Sequence, residues 1–190
     1  SRLRVPLVPP LSLVNRMTLT AFNQAYFLSQ KQKSGMGRSH YQSYFYPLDG
    51  ILDWNRMYGP KGFYQYQLVV PYESGMPAIK AILHEIAVSG QGSFLSVLKT
   101  FGDVPSPGLL SFPMEGLTLA LDFPNRGDIT LQLFRRIDAI VAEAGGRLYP
   151  AKDARMTEAL FTAGYPHLPE FLPYRDPGLS SGFSKRVMGW

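Results

Sequence analysis

Five polar side chains sit at matching positions within three short apolar runs: Gln65 and Gln67 in the first, Lys99 in the second, Thr118 and Asp122 in the third. An extended chain sends successive side chains to opposite sides, so residues two apart share a face. The first run, Phe63–Pro71, divides into Tyr64, Tyr66, Leu68 and Val70 against Phe63, Gln65, Gln67 and Val69. The second, Ser93–Phe101, divides into Phe94, Ser96 and Leu98 against Leu95, Val97, Lys99 and Phe101. The third, Leu117–Phe123, sets Leu117, Leu119 and Leu121 against Thr118, Ala120 and Asp122. One face is apolar enough to pack under helices. The other mixes two amides, an ammonium, a hydroxyl and a carboxylate with apolar groups, which suits neither dry core nor plain solvated surface. It reads as a binding surface.

Other chemistries have less support. With Cys 0 there is no thiolate nucleophile, disulfide, iron–sulfur cluster or cysteine zinc site. The three histidines, His40, His84 and His167, are far apart in sequence, which disfavours a histidine metal site. Lys152 closes the run Gly145-Gly146-Arg147-Leu148-Tyr149-Pro150-Ala151-Lys152 and precedes Asp153. It is either a solvent lysine ahead of a helix capped by Asp153 or a charge aimed at a ligand.

The elements that must position these residues follow from periodicity. Ser74 can cap a helix carrying Met76, Ile79, Ile82, Leu83 and Ile86, stopped by Gly90. Asp128 can cap another, with Ile129, Leu133, Ile137, Ile140 and Val141, stopped by Gly145 and Gly146. Arg147–Tyr149 then reads as a short fourth strand. The order β-α-β-β-α-β predicts an α+β, ferredoxin-like (split βαβ) domain with a mainly antiparallel sheet and two covering helices. Further helices are expected at both ends, near 15–30 and 154–163. Residues 1–14, with Pro6, Pro9 and Pro10, read as a linker leading into a domain at 15–190. The chain opens on Ser1-Arg2-Leu3-Arg4 with neither a Met nor an apolar signal core, as though continued from something longer.

Charged residues are 17% of the 190, against about 25% in an average chain, and hydrophobic residues are 45%, so general disorder is excluded. The net charge of +5 favours anionic partners without choosing among them. No apolar run approaches the ~20 residues of a spanning helix. A cytoplasmic or peripheral-membrane location is therefore expected. The basic, small-residue stretch Lys31–Ser39 reads as a solvated flexible loop, with a lid or a peripheral membrane contact as the sharper alternative. An RNA-stacking motif begins at Lys61-Gly62-Phe63 but fails: Tyr64 replaces the small residue and Gln65 the next aromatic. Nucleic acid is not the expected partner.

The segments around these strands carry a resemblance. Tyr46-Pro47-Leu48-Asp49, Trp54-Asn55-Arg56-Met57-Tyr58-Gly59-Pro60-Lys61-Gly62-Phe63, Leu110-Ser111-Phe112-Pro113, Leu121-Asp122-Phe123-Pro124 and Gly145-Gly146-Arg147-Leu148-Tyr149-Pro150-Ala151-Lys152-Asp153 appear in order. Together they resemble the C-terminal domain of FAD-linked oxidases of the vanillyl-alcohol oxidase superfamily. Within it they look most like the branch of decaprenylphosphoryl-ribose 2-epimerase oxidase subunits and sugar-lactone oxidases. The resemblance runs from about residue 15 to 187.

It implies a substrate-binding, cap-like domain of an oxidoreductase that moves a hydride from a sugar or sugar-phosphate hydroxyl to FAD, with a role in cell-wall biosynthesis. FAD would be held mainly by a separate domain or subunit, because no Gly-rich diphosphate loop lies ahead of residue 15. The isolated chain would then be inactive. Gln65, Gln67, Leu95, Val97, Lys99, Phe101, Thr118, Ala120 and Asp122 match positions lining the family's substrate pocket, and Tyr149 matches one packing against the ring. Lys152 matches the lysine beside flavin and substrate hydroxyl, a catalytic and cofactor-binding position. Two pocket positions depart from the branch: Ala120 stands in place of a cysteine and Thr118 in place of an asparagine. Pro150 departs from a usual polar residue. These departures leave the particular sugar open. The alternatives are a non-catalytic module holding a sugar phosphate or polyprenyl phosphate, or a structural subunit of a split flavoprotein.

Overall fold

In a computed structural model of the chain, residues 3–31, 35 and 37–190 are described. In chain order the elements are β1 (Leu3–Arg4), α1 (Arg16–Lys31), α2 (Tyr41–Phe45), β2 (Ile51–Leu52), β3 (Phe63–Val70), α3 (Tyr72–Val88), β4 (Ser96–Phe101), β5 (Gly116–Pro124), α4 (Asp128–Glu143), β6 (Arg147–Leu148), α5 (Glu158–Gly164), α6 (Leu168–Phe171) and α7 (Gly182–Met188). The main sheet has the order β4-β5-β3-β6 with every pair antiparallel, and β1 and β2 form a separate short parallel pair. This is the split βαβ arrangement that the element order predicts. The loop expected at 31–39 falls partly on residues outside the described ones.

Burial selects the side that the helices cover. Tyr66, Leu68 and Val70 of β3 and Leu117, Leu119, Leu121 and Phe123 of β5 join Ile79 and Ile82 of α3 and Leu133, Phe134, Ile137 and Val141 of α4 in one core. Met156, Phe161, Tyr165 and Val187 extend it past β6. A smaller cluster of Val14, Leu19 and Tyr58, with Trp54, Phe63 and Phe94 against it, lies at the start of β3. Residues ahead of α1 are laid along the chain near 51–59: Leu13 donates its N–H to the Met57 carbonyl at 2.9 Å, and Arg56 reaches the Val5 and Pro6 carbonyls at 3.1 Å.

Helix ends differ in detail from the sequence expectations. Pro71 is the N-cap residue of α3, three residues before the predicted Ser74, whose hydroxyl instead donates to the Ala144 carbonyl at 2.7 Å. That bond ties the start of α3 to the end of α4. Gly127 caps α4, and Asp128 sits inside its first turn, where a carboxylate suits the helix dipole. The Gly145-Gly146 stop does what its composition predicts. Gly145 takes φ of 69°, and Gly146 donates to the Val141 carbonyl at 2.8 Å, closing the helix in a Schellman turn. A Cβ on Gly146 would stand 2.5 Å from the Val69 carbonyl oxygen. Thus β6 can approach β3 only with glycine there.

Candidate functional site

The register brings the polar set onto the sheet face away from α3 and α4. Gln65 is opposite Asp122, Gln67 opposite Ala120, and Val69 opposite Thr118. Across the other edge of β5, Val97 is opposite Ala120, Lys99 opposite Thr118 and Phe101 opposite Gly116. Residues opposite one another share a face, so Gln67, Ala120 and Val97 form one row across three strands. Gln65 and Asp122 stand on one side of that row, Thr118 and Lys99 on the other. The side-chain amide of Gln65 donates to Asp122 Oδ1 at 3.2 Å, and that of Gln67 to Thr118 Oγ1 at 3.3 Å. Leu95 precedes β4, outside its paired register, and is half-buried. Lys99 is exposed on the edge strand.

Two irregular segments wall this trough. At the Val69 end, Tyr149 stacks on Phe112 with centroids 4.6 Å apart, and Phe101 meets Phe112 edge-on. The Phe112 segment is pinned by Arg147, whose guanidinium donates to the Ser111 carbonyl at 3.1 Å and lies 3.1 Å from the Met114 sulfur. At the Phe63 end, Tyr58 stacks on Phe63 at 4.5 Å, with Trp54 against both. The polar face thus lies between two aromatic clusters, one at each end.

Asp122 is the electrostatic centre of that site. It is 2% exposed, and its Oδ2 is buried without a hydrogen-bond partner. Burial raises its carboxyl above the ordinary carboxylate value, and the Gln65 hydrogen bond and the Lys152 charge offset part of that. Its own N–H is held by Ser93 Oγ at 2.8 Å. The Tyr58 hydroxyl is likewise buried and unpartnered, and burial, with the field of Asp122, pushes it above its ordinary value. Two unsatisfied polar atoms in one neighbourhood are unusual in a native fold. Both would be relieved by a group able to donate to one and accept from the other.

Lys152 ends the short 3-10 turn Pro150–Lys152, which follows Tyr149 as it donates its N–H to the Gln67 carbonyl at 2.9 Å. It lines a small cleft at the β3 edge with Gln65, Gln67 and Tyr149 from one face and Tyr66, Phe134 and Arg155 from the other. The predicted helix start at Asp153 is corrected: α5 begins at Glu158 under a Thr157 cap. Asp153 caps a tight turn instead, accepting the N–H groups of Arg155 and Met156 at 2.9 and 2.7 Å, and pairs with Arg186 at 2.6 Å. With Asp153 engaged elsewhere, the Lys152 charge is left to the trough. Among the described residues, no cluster of three His, Asp or Glu converges to hold a metal.

Sequence reasoning passed over Tyr58 and Phe112 as site residues because both lie in irregular segments, where alternation carries no signal. Their only sequence signal was membership of the matched motifs. Arg155 was missed for the same reason.

No protein-family model matches this chain. Decaprenylphosphoryl-β-D-ribose oxidase of Mycolicibacterium smegmatis is 38% identical to it over 176 residues, which is 91% of this chain and 37% of that protein. The chain is a relative of part of that oxidase. It also shares 38% identity over 97 residues, 51% of its length, with a Streptomyces coelicolor protein known only as an uncharacterized protein in the mprA 5′ region. The matched stretch is 26% of that second protein, so the chain spans well under half the length of both relatives.

Proposed function

We propose that this chain is the substrate-binding part of a flavin-linked oxidoreductase that oxidises a hydroxyl of a sugar carried on a polyprenyl phosphate. The observation that carries the reading is the trough: a walled sheet face with Asp122 half-satisfied at its centre and the Lys152 charge beside it. The relation to a sugar oxidase over nearly the whole chain supports the same reading.

In this reading the Asp122 carboxyl accepts a hydrogen bond from a sugar hydroxyl, while Gln65, Gln67, Thr118 and Lys99 hold its neighbours. The aromatic pair Tyr149 and Phe112 gives the ring an apolar surface to rest on. Lys152 supplies a fixed cation where negative charge develops, an arrangement that lowers a barrier because it needs no reorganisation. FAD, held by a separate domain or subunit, would supply the hydride acceptor. Lys152, whose neighbour Asp153 is paired with Arg186, is the residue that would face its ring edge. Membrane contact through Lys31–Ser39 belongs to the same proposal, and among the described residues no helix is long and apolar enough to cross a membrane.

Amide NMR of the chain titrated with a short-chain polyprenylphosphoryl ribose tests the reading. Shifts should concentrate at Gln65, Gln67, Ala120 and Tyr149. Shifts confined to the α3–α4 face, or none at millimolar ligand, would overturn it. In a parallel arm, FAD mixed with the chain should leave it colourless after gel filtration, and stoichiometric flavin would move the cofactor site into this chain.

A further inference from the structure

We infer that Arg155 is a positioning residue: its buried ion pair with Asp138 on the helix-covered side of the sheet fixes the turn that presents Lys152 to Asp122 on the other side. The geometry stands by itself, and only its consequence for turnover rests on the function proposed above.

The strand β6 pairs with β3 only at Leu68 and Val69, and Tyr149 extends the contact by one bond to Gln67. Beyond that point no strand among the described residues covers the outer edge of β3 near Gln65 and Tyr66. The chain from Pro150 to Arg155 crosses this edge from one face of the sheet to the other. Lys152 lines the cleft at this edge beside Gln65 and Gln67, and its charge acts on the Asp122 carboxyl. Three residues later, Arg155 enters the helix-covered side. Both of its terminal nitrogens donate to Asp138 of α4, one of them at 2.8 Å, and its guanidinium lies over the Phe134 ring at 4.9 Å and the Tyr66 ring at 5.7 Å. The Tyr66 hydroxyl donates to the same carboxylate at 2.7 Å. Burial opposes the Arg155 charge, but the hydrogen bonds and field of Asp138 more than offset it and hold the guanidinium above its ordinary value.

A second anchor lies between the two faces. Asp153 pairs with Arg186, which also donates to the Met156 carbonyl at 3.1 Å, and Met156 is wholly buried. Lys152 therefore leaves a backbone fixed on its C-terminal side by two ion pairs in which it takes no part. A planar fork is required at residue 155, because one group must bond both carboxylate oxygens while its charge sits over two tilted rings. A lysine ammonium keeps the charge and loses that geometry.

A double-mutant cycle read at Asp122 tests the coupling. Asp122 is faced by the Gln65 amide, the Lys152 ammonium and the Tyr58 hydroxyl, and its titration midpoint is followed by carboxyl carbon NMR in the full chain. Lys152→Ala should move the midpoint upward. Arg155→Lys should also move it upward, although the net charge at 155 is unchanged, because Lys152 drifts away. The double variant should move it no further than Lys152→Ala alone. Asp138→Asn, which keeps an acceptor for Tyr66, replaces Arg155→Lys if that variant melts below the measuring temperature, and the same non-additivity is expected. An unmoved midpoint in a folded Arg155→Lys, or additive shifts, overturns the inference. Turnover in the flavin-containing protein separates the two proposals. Coupled midpoints with unchanged turnover in Lys152→Ala would sink the functional reading and leave the positioning role standing. Uncoupled midpoints overturn the positioning role whatever turnover does.

Discussion

Two buried carboxylates lie on opposite faces of the same sheet. Asp138, on the helix-covered face, is 6% exposed and meets Tyr66 and both terminal nitrogens of Arg155. Asp122, on the trough face, is 2% exposed and has one oxygen on Gln65 and the other on nothing. A buried charge whose bonds are all made inside the protein specifies packing, and it has nothing left for a ligand. One with a bare oxygen carries a desolvation cost in the free protein that a partner can recover. Under the proposed function, the contrast gives structural work to one face and recognition to the other. It also shows why burial alone does not distinguish the two roles.

The largest expected effect breaks the structural side. Asp138→Ala strands the Arg155 guanidinium and the Tyr66 hydroxyl, and removing one member of a buried pair typically costs about 3–5 kcal/mol. Chemical denaturation should show a loss of that order, and a loss under about 1 kcal/mol would show that Asp138 is not the anchor its contacts suggest.

On the recognition side, Lys152→Ala in the flavin-containing protein should slow anaerobic flavin reduction by about 10²–10³-fold, the usual cost of one preorganised charge. Its melting behaviour should stay within about ±0.5 kcal/mol of the parent. Lys152→Arg should rescue poorly, since a planar fork does not replace a compact point charge. Parent-like reduction at saturating sugar would remove Lys152 from the chemistry.

A smaller effect of opposite sign sharpens the comparison. Asp122→Asn should stabilise the free chain at neutral pH by on the order of 1 kcal/mol while weakening sugar binding. Because the folded carboxyl sits above its unfolded value, the stability tied to its proton is complete below the unfolded value. That contribution is lost as pH rises through the folded value. Melting curves across mildly acidic pH should therefore lose part of their slope in Asp122→Asn. An identical slope would mean that Asp122 does not titrate as its burial requires.

Smallest is the surface pair between α3 and α4, Glu85 and Arg136, at 2.8 Å with the arginine side chain 49% exposed. Arg136→Ala should change stability by under about 1 kcal/mol, because an exposed ion pair is screened by water and salt. A larger loss would show that these helices depend on their rim rather than on the apolar residues between them.

Much of this was readable in the linear chain. Side-chain alternation in three runs placed Gln65, Gln67, Lys99, Thr118, Ala120 and Asp122 on one face, because the two-residue period of a strand leaves only two choices and the leucines took the other. Helical periodicity located α3 and α4 to within a few residues. Gly145 and Gly146 marked the stop, since a left-handed turn and a close backbone approach both demand glycine. The helix starts were less legible. Ser74, Asp128 and Asp153 are all competent caps, and which oxygen finds which N–H is decided by what packs nearby.

What only the tertiary structure decided lies between elements distant in sequence. Nothing local distinguishes Asp122 from Asp138, or says that Arg155 pairs with α4 while Lys152, three residues earlier, serves the other face. Those assignments arise because β6 is too short to cover β3, leaving an edge that the chain must cross. The sequence determined which residues could face a ligand, through a periodicity fixed by backbone geometry. Which of their charges remain unspent was settled by partners that only long-range packing brings within a few ångströms.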